Sequence, residues 1–164
     1  MMEKGKIHIY TGDGRGKTPA ALGEALYAAA EGKQVVVIQF MKGKGLSKNE
    51  FTRRLEPEIK FFCFEKTDAE YADLTSRQQE EETMNIRNGI NFAKKVLSTG
   101  GCDLLILDEV LGLLDVGIIT VDDLKTLLLA KEEEVTIIMT GIQLKEEVIT
   151  LADEISKIES MPIA

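Results

Sequence analysis

Apolar residues along this chain come in short unbroken runs set between longer stretches where they recur at helical spacing. That is the pattern of strands buried on both faces alternating with helices. Ile7 to Tyr10, Gln34 to Phe40, Ile59 to Phe64 and Val135 to Thr140 read as such strands. Asp103 to Glu109 adds one more, whose apolar middle, Leu104 to Leu107, delivers adjacent acids at its carboxyl end. Glu154 to Met161 alternates and stops before Pro162, which predicts an edge strand. Between the strands, the alanine-rich segment Ala20 to Ala30 predicts a helix stopped by Gly32. Asn49 to Leu55 allows one or two helical turns before Pro57, and Lys66 to Thr75 is polar and irregular. Ser76 to Leu97 predicts a long helix that buries Met84, Ile86, Ile90, Phe92, Ala93 and Leu97 and ends at Gly100 and Gly101. Val121 to Ala130 follows Thr120, whose hydroxyl can cap it by accepting from Asp122 or Asp123, and Leu144 to Asp153 predicts a last helix. Leu113, Leu114, Ile118 and Ile119 are expected in the core. The architecture predicted is α/β, a mostly parallel sheet with helices on both faces, in a single domain over residues 1–164.

The first strand runs into Thr11-Gly12-Asp13-Gly14-Arg15-Gly16-Lys17-Thr18. Strand, glycine loop, helix is the setting in which successive backbone N–H groups turn inward around a phosphate, helped by the positive end of the helix that follows. Lys17 would neutralise phosphate oxygens, and Thr18 would offer a hydroxyl to magnesium. The usual motif opens on glycine, whereas Thr11 holds that place here, with Gly12 and Gly14 inside the loop. At the carboxyl end of the second strand, Gln39 and Lys42 fall beside the phosphate loop by topology, and Gly43, Lys44 and Gly45 continue as loop. Asp108 would hold magnesium directly or through water, and Glu109 would be a ligand or a polarising group.

Charge and composition narrow the field. A net charge of −8 with Glu runs at 80–82 and 132–134 argues against a large nucleic-acid footprint. Neither a membrane span nor an apolar signal region is present in the 164 residues, so a cytoplasmic location is expected. Cys63 and Cys102 lack metal-ligand spacing and read as reduced structural thiols, and His8, the lone histidine, as a packing residue of the first strand.

Taken together these residues resemble the P-loop family of ATP:corrinoid adenosyltransferases. That family's loop is typically Thr-Gly-Asn-Gly-Lys-Gly-Lys-Thr, with the same glycine spacing and the same threonine as Thr11. Gln39, Phe40, Met41, Lys42 and Gly43 resemble its Gln-Phe-Ile-Lys-Gly. Leu107-Asp108-Glu109 resembles its Leu-Asp-Glu-Leu, Thr140-Gly141 its Thr-Gly, and Ala152-Asp153 its Ala-Asp before the last strand. The resemblance implies a RecA-like P-loop fold and transfer of the 5′-deoxyadenosyl group from ATP to a reduced cobalt corrinoid, with triphosphate released. It implies ATP and Mg²⁺ at the site, a corrinoid as substrate, a flavoprotein as reductant, and a homodimer. Residues 11–18, Gln39 and Lys42 would bind the nucleotide; Thr18, Asp108 and Glu109 would hold the metal; Lys17 and Glu109 would act in the reaction.

The chain also departs from the family's pattern. Asp13 stands for its Asn, Arg15 for its Lys, Pro19 for a Thr, and Ile142 where an Arg often follows Thr-Gly. Asp13 then needs a cationic partner beside triphosphate, and Arg15 is the nearest candidate. With no tryptophan in the sequence, Phe64 or Tyr71 would replace the family's Phe-x-Trp against the corrinoid. Family members usually have an N-terminal extension over the site and a Lys-His segment after the last strand; here the first strand begins within about six residues of Met1 and the sequence ends at Ala164. ATP binding is therefore carried by more matching residues than corrinoid binding. From the residues alone, a P-loop ATPase or small-molecule kinase, and a nucleotide-binding regulatory module, stay open beside the transferase.

Overall fold

A computed structural model describes residues 4–43 and 45–163; Lys44 of the second-strand loop and the first three residues of the charged start lie outside the described residues. The strands are β1 (Ile7–Thr11), β2 (Val35–Gln39), β3 (Ile59–Phe62), β4 (Leu104–Asp108), β5 (Thr136–Gly141) and β6 (Glu154–Lys157). They form one six-stranded sheet in the order β3-β2-β4-β5-β1-β6, and every pairing is parallel. Parallel neighbours need crossovers, which the helices α1 (Lys17–Ala30), α2 (Glu50–Arg53), α3 (Ser76–Ser98), α4 (Gly112–Asp115), α5 (Val121–Leu129) and α6 (Glu146–Ile149) help supply.

Alternation along each strand sends successive side chains to opposite faces, so the sheet has a core on either side. On one face Val35, Val37, Leu104, Ile106 and Ile138 pack under Ala21 and Ala25 of α1. On the other, Val36, Ile38, Leu105, Leu107, Ile137 and Met139 pack under α3, α4 and α5. Leu113, Leu114, Ile118 and Ile119 are buried as expected. The cap of α5 is a reciprocal box: Thr120 Oγ1 accepts from the Asp123 amide at 3.1 Å, and Asp123 Oδ2 accepts from the Thr120 amide at 2.9 Å.

The structure corrects several boundaries. Met84 is exposed at 68%, not buried; the inward stripe of α3 runs through Glu82, Ile86, Gly89 or Ile90, Ala93 and Val96 or Leu97, and Met84 lies off it. Glu82 takes the buried place because its carboxylate accepts the Lys66 amide and an Asn85 Nδ2 proton. Helix α1 starts at Lys17, before Ala20, since Pro19 falls in its first turn, where no amide is required. The helix expected over 144–153 shrinks to α6, because Asp153 must reach β1: its amide donates to Ile7 O and its Oδ2 accepts from Ile7 N, both at 2.8 Å. Strand β3 stops at Phe62, short of the end of its apolar run at Phe64, and β6 stops at Lys157, short of the end of its alternation at Met161.

Candidate functional site

The carboxyl ends of β1, β2, β4 and β5 lie side by side, and the predicted side chains hang from them. Gly12 (φ 114°) and Gly16 (φ 112°) adopt left-handed conformations that let the chain turn from β1 into α1. Lys17 is 9% exposed and its Nζ donates to Gly14 O at 3.0 Å, so the ammonium is curled inside the loop. Thr11, expected as a phosphate contact, turns its hydroxyl to Ile142 O at 3.1 Å, and the Gly12 amide donates to the same oxygen at 3.3 Å. Its place in the motif thus ties the loop's entry to the segment after β5.

Asp108 is fully buried, and both its oxygens are occupied. Oδ1 accepts from Thr18 Oγ1 at 2.8 Å and from Thr140 Oγ1 at 2.7 Å. Oδ2 accepts from Lys42 Nζ at 2.6 Å and from Gln39 Nε2 at 3.2 Å. Lys42 Nζ also donates to Thr18 Oγ1 at 2.5 Å. A carboxylate out of water is tolerable only with an opposite charge and its lone pairs satisfied, and here it has both. The register makes this inevitable: Gln39 of β2 pairs with Asp108 of β4, so the loop after β2 starts beside the acid. Gln39 is a connector, since its Oε1 also accepts from the Leu46 amide at 2.8 Å.

Two non-glycine residues at this edge have left-handed backbones, Met41 (φ 60°) and Glu109 (φ 62°), a conformation that costs roughly 1–3 kcal/mol and is held by surrounding bonds. The Glu109 amide donates to Thr140 Oγ1 at 2.7 Å, and the Met41 amide to Glu65 Oε1. Burial pushes the Glu109 carboxyl above its ordinary range, with the Lys42 ammonium pulling it down and Asp108 pushing it up. Glu65 is likewise raised, first by burial, then against the holding effect of the Met41 amide.

Sequence reasoning missed Thr140 as a site residue, although Thr-Gly at a strand end was a visible signal; it missed Glu65 and the final segment entirely. Ile158 N donates to Thr11 O at 2.8 Å, Gly14 N to Ile158 O at 3.1 Å, and Arg15 N to Ser160 Oγ at 3.0 Å. A Cβ on Gly12 would sit 2.2 Å from Ile158 O, and one on Gly14 2.6 Å from Ser160 N. The glycines therefore admit the chain's own tail as well as any phosphate. Asp13 is exposed, and among the described residues no ion pair joins it to Arg15; its charge acts on Lys157, whose pKa is raised first by Glu159 at 2.8 Å. Phe64 packs on Phe92 (ring centroids 5.4 Å apart), and Tyr71 Oη meets Thr83 Oγ1 at 3.1 Å. Tyr71 and Lys42 line a cavity of about 220 Å³ with Met41, Glu65, Asp68 and Ile86. A larger one, about 540 Å³, lies between α1 and the amino ends of the strands, away from the glycine loop.

Residues 3–162 match the family described as ATP:corrinoid adenosyltransferase BtuR/CobO/CobP. The chain belongs to this family. The corrinoid adenosyltransferase of Escherichia coli (strain K12) is 30% identical over 156 residues, which are 95% of this chain and 77% of that protein. The corrinoid adenosyltransferase CobA of Salmonella typhimurium shows the same identity and the same coverage, 30%, 95% and 77%. Among solved structures, a DNA replication initiation factor gives a weak likeness, TM-score 0.39 at 17% identity over 95% of this chain and 40% of that one. In this family member, the loop strand β1 and the acid-bearing strand β4 are separated by β5. No helix among the described residues is long and apolar enough to cross a membrane.

Proposed function

We propose that this chain transfers the 5′-deoxyadenosyl group of ATP to the cobalt of a reduced corrinoid. The observation that carries the reading is the convergence, at one sheet edge of a family member, of a glycine loop with an inward lysine and a buried acid paired to a cation. The cobalt(I) electron pair attacks C5′ of the ribose, the C5′–O bond breaks, and its electrons leave with triphosphate. No proton need move. The chain's task is electrostatic and positional: amides of residues 12–18, the amino end of α1 and Lys17 take up the leaving group's charge, and the fixed loop keeps C5′ in line with cobalt.

Magnesium is the metal that such ATP chemistry implies. The donor set fits it, because the hard oxygens of Asp108 and Thr18 already converge on a cation, the Lys42 ammonium. Thr18, Asp108 and Glu109 would hold it, and when bound it would supply charge neutralisation of the polyphosphate. Homodimerisation, a flavoprotein that delivers the corrinoid as cobalt(I), and a cytoplasmic location complete the proposal; both cysteines are free, which suits a reducing compartment.

The test is product analysis with Mg-ATP and chemically reduced cob(I)alamin in the dark. Triphosphate together with a light-sensitive alkylcobalt spectrum is the expected result. ADP or orthophosphate as the phosphate product would overturn it.

A further inference from the structure

We propose that Lys42 is a resident cation that keeps the metal position closed until polyphosphate arrives, so that a divalent ion enters the site with the nucleotide and not before it. This rests on the reading that Asp108 and Thr18 hold the metal. The Lys42 Nζ lies 2.6 Å from Asp108 Oδ2 and 2.5 Å from Thr18 Oγ1, within bonding range of both oxygens assigned to the metal. A divalent ion cannot share that position, because two cations at contact distance on one buried carboxylate repel each other.

The lysine is placed to yield. Its side chain is 30% exposed whereas that of Asp108 is 0%, so the ammonium can swing outward while the carboxylate stays. Its backbone does not need to move: Met41 before it is held by Glu65, and Gly43 after it (φ 57°) is packed against Asp68. What the ammonium needs is a second anion. Polyphosphate in the neighbouring glycine loop supplies one, and as Lys42 turns to it, Asp108 becomes free for the metal that came with the phosphate. A bare metal ion offers Lys42 no such destination. The expected consequence is ordered loading, in which the metal–nucleotide complex binds well and the free metal poorly.

The experiment titrates Mn²⁺ alone into the full chain and reads free Mn²⁺ by electron paramagnetic resonance, in wild type, Lys42→Gln and Lys42→Met. Glutamine keeps a hydrogen bond to Asp108 and so guards against loss of fold. The expected result is Mn²⁺ affinity about tenfold or more higher in both variants than in wild type, abolished when Asp108→Asn is added. Their thermal midpoints should rise with Mn²⁺ while that of wild type does not. Variants that fold yet bind Mn²⁺ no better than wild type overturn the inference; if Mn-ATP binding still depends on Asp108, the metal reading survives. Mn-ATP affinity unchanged by Asp108→Asn overturns that reading, and the inference with it.

Discussion

Thr140 donates its hydroxyl proton to Asp108 Oδ1 at 2.7 Å, so the end of β5 orients the carboxylate at the end of β4. Thr140 Oγ1 in turn accepts the Glu109 amide at 2.7 Å, and Thr140 is itself fully buried. Thr140→Val keeps the shape but leaves a buried carboxylate short of a donor and an amide without an acceptor. Each such orphan costs about 1–3 kcal/mol, so urea unfolding should show a loss of that order or more. Thr140→Ser should recover most of it. A valine variant as stable as wild type would show that the hydroxyl is dispensable.

Lys17 serves both the loop and its ligand. Its ammonium donates to Gly14 O, so Lys17→Ala should lower stability by roughly 1.5–3 kcal/mol. Affinity for ATP and for inorganic triphosphate should both fall about tenfold or more, since a hydrogen bond to a charged group is worth roughly 1.5–3 kcal/mol. Calorimetric titration of the two ligands checks this. Equal affinity in the variant would remove the phosphate from the loop.

Ser160 makes the opposite prediction. Its Oγ accepts the Arg15 amide, one of the loop donors that triphosphate would use. Ser160→Ala should therefore raise triphosphate affinity, by roughly two- to tenfold for a bond worth about 0.5–1.5 kcal/mol. Unchanged or lower affinity would mean that tail and phosphate use different sides of the loop.

How much of this was legible in the sequence depends on which interactions leave a pattern. Buried parallel strands are unbroken apolar runs, so β2 and β4 announced themselves; the motif spacing marked Lys17 and Thr18, and its place at the carboxyl end of an apolar strand marked Asp108. Lys42 was placed near the site by topology, but its contact with Asp108 follows from the pairing of Gln39 with Asp108, which only the strand order reveals. Element ends were lost where a distant contact decides them: Asp153 on Ile7 shortens the last helix, and Ile158 on Thr11 draws the chain off β6. Glu65 and Ser160 work through backbone amides, and any sequence presents those. No spacing could have pointed to them.

Glu65 gives a pH signature. Burial raises its carboxyl above the usual range, the Met41 amide opposes that by holding the ionised form, and the charge of Glu82 adds to the rise. A folded-state pKa above the unfolded value means the fold prefers the protonated acid. Its contribution to stability is thus full below the unfolded carboxylate pKa and is lost as pH rises through the folded one. Glu65→Gln retains a carbonyl oxygen for the Met41 amide but cannot titrate. The stability of wild type minus that of the variant should therefore fall as pH climbs out of the carboxylate range, then level off. Urea midpoints of both proteins from about pH 4 to about pH 8 read this difference directly. A difference that grew with pH would mean the ionised carboxylate is what the fold prefers, and that the Met41 bond outweighs burial.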